Sequence, residues 1–399
     1  VIGCLLAGCT QSLMSRKTYD HIRIVLRLCD VDLPSWKTIQ HAKSNLQKMA
    51  HCKDQLTVSI LGNPITTVSI EGLLKQELGN PLVAKYLDFY PEDAAGQNIF
   101  KLSQSEKWLH QFPRDLQAQM ISHGGKHFYI YEPVQINNGN VVVPIYFYTK
   151  KNKIFSKVSR LHVEVSYNMD VEISIHGDLD FHSSCLKEIP TEEFWKPYNE
   201  IHVKNGDQLA SKCGNILHLI TEKGSEQISL PNQWRIKADG KLIRHIPLNL
   251  YSDDTSGNIS KQWNKHISIF MTLSGLPPSL SNQEYHTLFI ATSNIASALE
   301  LFTPVVEELN RLATTGVIAF DESIQQEVLL LPVALLLMAD SPMHAEITST
   351  MQPNTSLQPC RICKLKAENK KGKSTAAFFE SFIGHSNGKQ VSCSLFFHC

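Results

Sequence analysis

Three carboxylates in this sequence stand where an apolar run stops. Asp253 and Asp254 follow Ile246, Leu248 and Leu250 in HIPLNLYSDDTSGN, and Asp340 closes the run EVLLLPVALLLMAD. A carboxylate at the end of a buried strand is held on a rigid element while its oxygens still reach solvent. Hard divalent cations such as Mg2+ take carboxylate oxygens. A pair of such ions, about 3.5–4 Å apart, activates the attacking oxygen and stabilises the leaving oxygen of a phosphodiester. Two strand-end aspartates on neighbouring strands are the minimum for that chemistry, with a third acid on a later helix to complete it. Asp, Ser, Gly and Asn are also ordinary turn residues, so the Asp253 segment taken alone reads as a strand closing into a turn.

The elements that must position these groups show as periodicities. WRIKADGKLIRHIPLNLYS suggests a hairpin turning at Asp239-Gly240, whose second strand delivers Asp253 and Asp254. ISIFMTLSG and HTLFIATSN are two further apolar strands. ASALELFTPVVEELNRLATT has the spacing of an amphipathic helix closed by Gly316. A buried strand then leads to Asp340, and Ser341-Pro342 opens a helix. Three strands, a helix and a buried strand with a second terminal carboxylate is the order in which a ribonuclease H-like fold is assembled. The expected class is therefore α/β with a mixed sheet over residues 234–399, in which Asp253 or Asp254 and Asp340 hold Mg2+ or Mn2+.

Further ligand types lie around this core. Cys360-Arg361-Ile362-Cys363 has the spacing of one edge of a tetrahedral Zn2+ site, with His385, Cys393, His398 and Cys399 as candidates for the other edge and a loop thiol pair as the plain alternative. Lys364, Lys366, Lys370, Lys371 and Lys373 form the densest basic run. Lys261, Trp263, Lys265 and His266 follow the first aspartates. Either group suits DNA phosphates or a solvated connection.

The ordered set SDDTSGN, KQWNKH, SGLPP, HTLFIATSN, TPVVEELNRL, GVIAFD, VLLLPVALLLMADSPMHAEI and CRIC resembles the catalytic region of fungal cut-and-paste transposases. The relatives in question are the CACTA superfamily and the Kyakuja, Dileera and Zisupton elements. LCDVDLPSW and FYPEDAAG extend the likeness towards the N-terminus. In that family a first Asp follows the opening strand, a second Asp precedes a Pro, and a CxxC follows. Asp253 (or Asp254), Asp340 with Pro342, and Cys360 with Cys363 match in that order. The resemblance implies a DDE-type transposase that cuts and joins transposon-end DNA, in the nucleus, with a structural Zn2+. The family's third acid, a Glu, would lie beyond the CxxC insertion. Glu380 comes too early for that role, so the expectation is a fragment with an incomplete, nearly inactive site. The alternatives are a non-catalytic DNA- or chromatin-binding derivative, or a relic without function.

The remaining sequence divides at changes of pattern. Residues 1–55 form a helical segment in which Tyr19–Cys29 and a basic helix from Ser35 to Ala50 could make a DNA-binding pair or a plain helical hairpin. Residues 56–150 read as α+β, with a hairpin at Asn137-Asn138-Gly139 and with Pro133 and Pro144 suggesting strand edges. Lys150–Arg160 reads as a basic connector, and 151–233 as β-rich. Within that region His176, His182 and Cys185 are close enough in sequence to raise a metal reading, although ordinary half-buried residues are the commoner case. Lys+Arg and Asp+Glu are equal at 38 each, so the overall charge points to no polyanionic partner and any DNA contact must be local. Ten irregularly spaced cysteines in 399 residues suggest reduced thiols. The apolar runs are too short for a bilayer, so a soluble protein with no membrane partner is expected. Homo-oligomer formation is left open.

Overall fold

The computed structural model describes residues 15–49, 54–165, 171–203, 206–222, 224–254, 266–352, 355–358 and 366–378. The fold is mixed α/β. Helix α1 (Arg16–Arg27) is capped by the Ser15 side chain and packs against α2 (Trp36–Met49) through Tyr19, Leu33 and Ile39. The Tyr19 hydroxyl and the Arg23 guanidinium bond the carbonyls of Pro34 and Leu33, which fixes the turn between the helices.

A seven-stranded sheet is the frame for the strand-end aspartates. Its members are β1 (Asp54–Val58), β2 (Pro64–Val68), β3 (Leu242–Asp254), β4 (Ile267–Leu273), β5 (Leu288–Ser293), β6 (Val317–Asp321) and β7 (Gln326–Ala339). They lie in the order β1-β2-β5-β4-β3-β7-β6. Only β3 and β7 pair in parallel; the other neighbours are antiparallel. The β1–β2 hairpin therefore belongs to this sheet, and the 56–150 segment is shared between two bodies of the fold. On one face lie α3 (Ile70–Leu78) and α5 (Ala298–Thr315), between which the chain provides α4 (Gln233–Ala238). Ile246, Leu248 and Leu250 of β3 pack there with Leu301, Val305 and Leu312 of α5. Two carboxylates of α5 tie it to neighbouring elements. Glu308 of α5 accepts from the Ser69 hydroxyl and from the Ile70 and Glu71 amides, capping α3. Glu300 accepts from Ser59, Ser297 and Asn63, whose hydrogen bonds hold its carboxyl down at about 2.

Between α3 and α4 the chain builds a separate β-rich body. Its five-stranded sheet has the order Lys187–Pro190, Lys153–Arg160, Val141–Lys150, Val134–Ile136, Phe194–Lys196. A four-stranded sheet has the order Gly224–Ser229, Ile216–Thr221, Val171–His176, His162–Val165. Both share one core. A hairpin of Met120–His123 with Lys126–Tyr129 places Met120 and Tyr129 against Trp234, Ile243, Leu329 and Leu331, joining this body to the back of the large sheet.

Three expectations are corrected. Gln233–Ala238 is a helix, not a strand: the Asn232 side chain caps it and Asp239 and Gly240, both at positive φ, end it rather than turn a hairpin. Lys150–Arg160 is no connector. Lys151 and Asn152 are both left-handed and form a two-residue hairpin loop, and the lysines alternate with inward Ile154 and Val158. Pro144 sits on the central strand of its sheet, opposite Val158 and beside a register shift at Ile145, and its carbonyl accepts from the Tyr131 amide. The Asn137-Asn138-Gly139 hairpin is present, with Gly139 at φ 87°.

Candidate active site

The neighbourhood of Asp253 and Asp340 is set by how β3 lies against β7. Their parallel register runs Leu242↔Val328 to Leu248↔Ala334, shifts at a bulge, and resumes as Asn249↔Leu336 to Ser252↔Ala339. Leu335 is the extra residue, and its carbonyl accepts from the Lys107 ammonium. A bulge of this kind reverses the in-and-out alternation beyond it. Val328 and Leu330 face the helices before the bulge, and Leu337 and Ala339 do so after it. Continued by one residue, the register brings Asp340 level with Asp253, at the C-terminal ends of two adjacent parallel strands. Both then lie on the face away from α5, with Tyr251 and Met338, because Leu250 faces the helices. Asp254, on the other side of the strand, accepts from the His266 amide at 2.9 Å.

Protein donors hold each carboxylate. Asp253 Oδ2 accepts from the Tyr251 hydroxyl at 2.7 Å, and Oδ1 from the Asp254 amide at 2.7 Å. Asp340 is the N-cap of α6 (Ser341–Ile347), where its Oδ1 accepts from the Met343 amide at 2.7 Å. The hydrogen bond to Asp253, burial, and the charges of Asp253 and Asp340 together raise the Tyr251 hydroxyl above its ordinary range. Both carboxylates therefore act on one phenol. Tyr251 was not singled out from the sequence, although a Tyr two residues before a strand-end Asp must share its face. Beyond it an aromatic row crosses the sheet, with Tyr251 and Phe270 6.3 Å apart and Phe270 and Phe289 5.8 Å apart.

Other candidates fall differently. Lys261 and Lys265, Lys364, and the Cys360–Cys363 pair with its candidate partners lie outside the described residues. Lys366 is exposed. The His176, His182 and Cys185 grouping does not form: His176 stands against His162, whereas His182 stands against His110 at 5.2 Å between ring centres. Among the described residues no group of three or more His, Cys, Asp or Glu side chains is arranged to hold a metal ion. None of their helices is long and apolar enough to cross a membrane.

Fold and site together define a mixed α/β protein in which the parallel pair of its large sheet, β3 and β7, presents two aspartates at its C-terminal end. A protein-family model described as a domain of unknown function (DUF8591) matches residues 120–244, which is less than half the chain. The match takes in most of the β-rich body and the start of β3, and stops before Asp253. No curated protein matches the chain.

Proposed function

We propose that the large sheet and its helices are a ribonuclease H-like domain of the DDE-transposase type, acting on DNA, with Asp253 and Asp340 as ligands of Mg2+ or Mn2+. The observation that carries this reading is the parallel register of β3 and β7, which runs to Ser252↔Ala339, the residues immediately before Asp253 and Asp340. The strand order β5-β4-β3-β7, antiparallel, antiparallel and then parallel, with α5 between β5 and β7, supports it. The donor set fits a hard ion: Asp340 keeps Oδ2 without a partner among the described residues, and each Asp253 oxygen accepts a single hydrogen bond. Such ions would supply charge stabilisation for phosphodiester hydrolysis and strand transfer. The chain's own part is positional. Tyr251 and the Asp254 amide fix the Asp253 carboxylate, and the Met343 amide fixes Asp340, so neither must be ordered when the substrate arrives. A third acid is needed for full activity, and nuclear location belongs to the same reading.

Calorimetric titration of Mn2+ into the full chain tests this. Saturable binding should be lost in Asp253→Asn and in Asp340→Asn but kept in Asp254→Asn. Binding indifferent to the first two substitutions would sink the proposal.

A second reading, a DNA-binding protein of transposase origin without catalysis, rests on the helix pair. Arg16, Arg23, Arg27 and Lys37 line one groove between α1 and α2. On that reading DNA binding weakens steeply with salt, falls in an Arg16→Ala/Arg27→Ala/Lys37→Ala variant, and ignores both aspartate substitutions.

A further inference from the structure

The outer face of the four-stranded sheet carries histidines that the carboxylate site does not use. His162 lies opposite Ser174 on one neighbouring strand pair, and His218 lies opposite the same Ser174 on the other. His176, two residues along from Ser174, shares that face, and its ring centre is 4.4 Å from that of His162 with the planes at 55°. The Ser174 hydroxyl is 2.9 Å from His176 Nε2, which orients the imidazole and leaves Nδ1 for another partner. Glu164 and Glu172 oppose each other one step further along the same face. Two like charges in that position repel unless a cation lies near.

The 4.4 Å spacing has a chemical meaning. Two imidazoles bound to one ion through bonds of about 2.0–2.1 Å would have ring centres about 4.5 Å apart at a right angle and about 5 Å apart at the tetrahedral angle. The His110–His182 pair has a similar separation but a different setting: the rings meet edge to face at 78°, and His110 lies flat on Phe181. That is aromatic packing. His162 and His176 are both exposed, so water can complete a coordination shell around them.

We infer that His162 and His176 form a two-imidazole site for a borderline divalent transition ion such as Zn2+, Ni2+ or Cu2+, with water filling the remaining positions and His218 at its rim. Imidazole nitrogen selects these ions over Mg2+, so the site is chemically distinct from the Asp253–Asp340 pair.

The test is calorimetric titration of Ni2+ into the full chain, with far-UV circular dichroism to check folding. One saturable site should weaken at least tenfold in His162→Gln and in His176→Gln and persist in His110→Gln/His182→Gln. Absence of binding by the parent chain, or binding untouched by the His162 and His176 substitutions, would overturn the inference. Loss of binding in the His110/His182 variant alone would overturn it too, by moving the site to that pair.

Discussion

Two buried groups give this protein opposite responses to acid. His245 on β3 is 1% exposed, neither ring nitrogen has a partner among the described residues, and burial pushes its imidazole down to about 3. Unfolded, it titrates at about 6.5. Between these values the unfolded chain takes a proton that the folded chain refuses, so this contribution is complete above about 6.5 and lost as pH falls towards about 3. Glu77 on α3 behaves in reverse. Its Oε2 is buried without a partner among the described residues, and burial raises the carboxyl to about 7. The folded chain then holds a proton released on unfolding above about 4.5, and its contribution disappears as pH rises through about 7. Urea melts across pH 4–8 should show His245→Leu with a flatter acid limb than the parent chain. Glu77→Gln should gain about 2 kcal/mol at pH 8; no gain there would mean that water reaches this carboxylate.

Helix α3 depends on a cap supplied by a distant residue. Glu308→Ala strips the start of α3 of an acceptor for three donors, and should cost about 1–3 kcal/mol in chemical denaturation. Glu308→Gln should recover part of that. A close contact sets a second constraint: a Cβ on Gly275 would stand 2.5 Å from the Asp88 carbonyl, so Gly275→Ala must push apart the β4 exit and the Asp88 segment, at about 1–3 kcal/mol. The sequence made some elements plain and hid others. Ala298–Thr315 was legible because its Ser297 and Glu300 capping box and its apolar stripe agree, and β7 because its apolar run is long. The β6 hairpin, added antiparallel beyond β7, was hidden because GVIAFD gives no sign of which edge it will join. Helix α4 was misread because Asp-Gly suits a helix end as well as a hairpin. Of the candidate site, the strand-end aspartates were visible, but the choice of Asp253 as the residue level with Asp340 depended on a register that no local pattern encodes.

At the scale of the molecule, two cores meet at a seam closed by charge. Glu132, 1% exposed in its side chain, receives Arg235 through both carboxylate oxygens, with a shortest contact of 2.7 Å and further donation from the Asn232 amide. Arg235 also lies over the Tyr129 ring at 4.4 Å. Removing one member leaves the other charge buried and unpaired, at about 3–5 kcal/mol. Arg235→Ala should therefore lower the midpoint of thermal unfolding and, by loosening the seam, split one calorimetric transition into two. A single transition at an unchanged midpoint would show that apolar contacts alone hold the bodies together.

The bulge at Leu335 has a consequence for how the chain can change. Apolar exchanges along residues 326–339 leave the count of residues between the β6–β7 turn and Asp340 intact. A one-residue deletion at Leu335 closes the bulge and leaves Asp340 level with Asp253, whereas a one-residue insertion with the bulge kept would bring Asp340 level with Asp254, on the helix side of the sheet, and part it from Asp253. Elsewhere in this segment length is held more tightly than composition, and the bulge is the point at which the strand can lose a residue with the two aspartates still level.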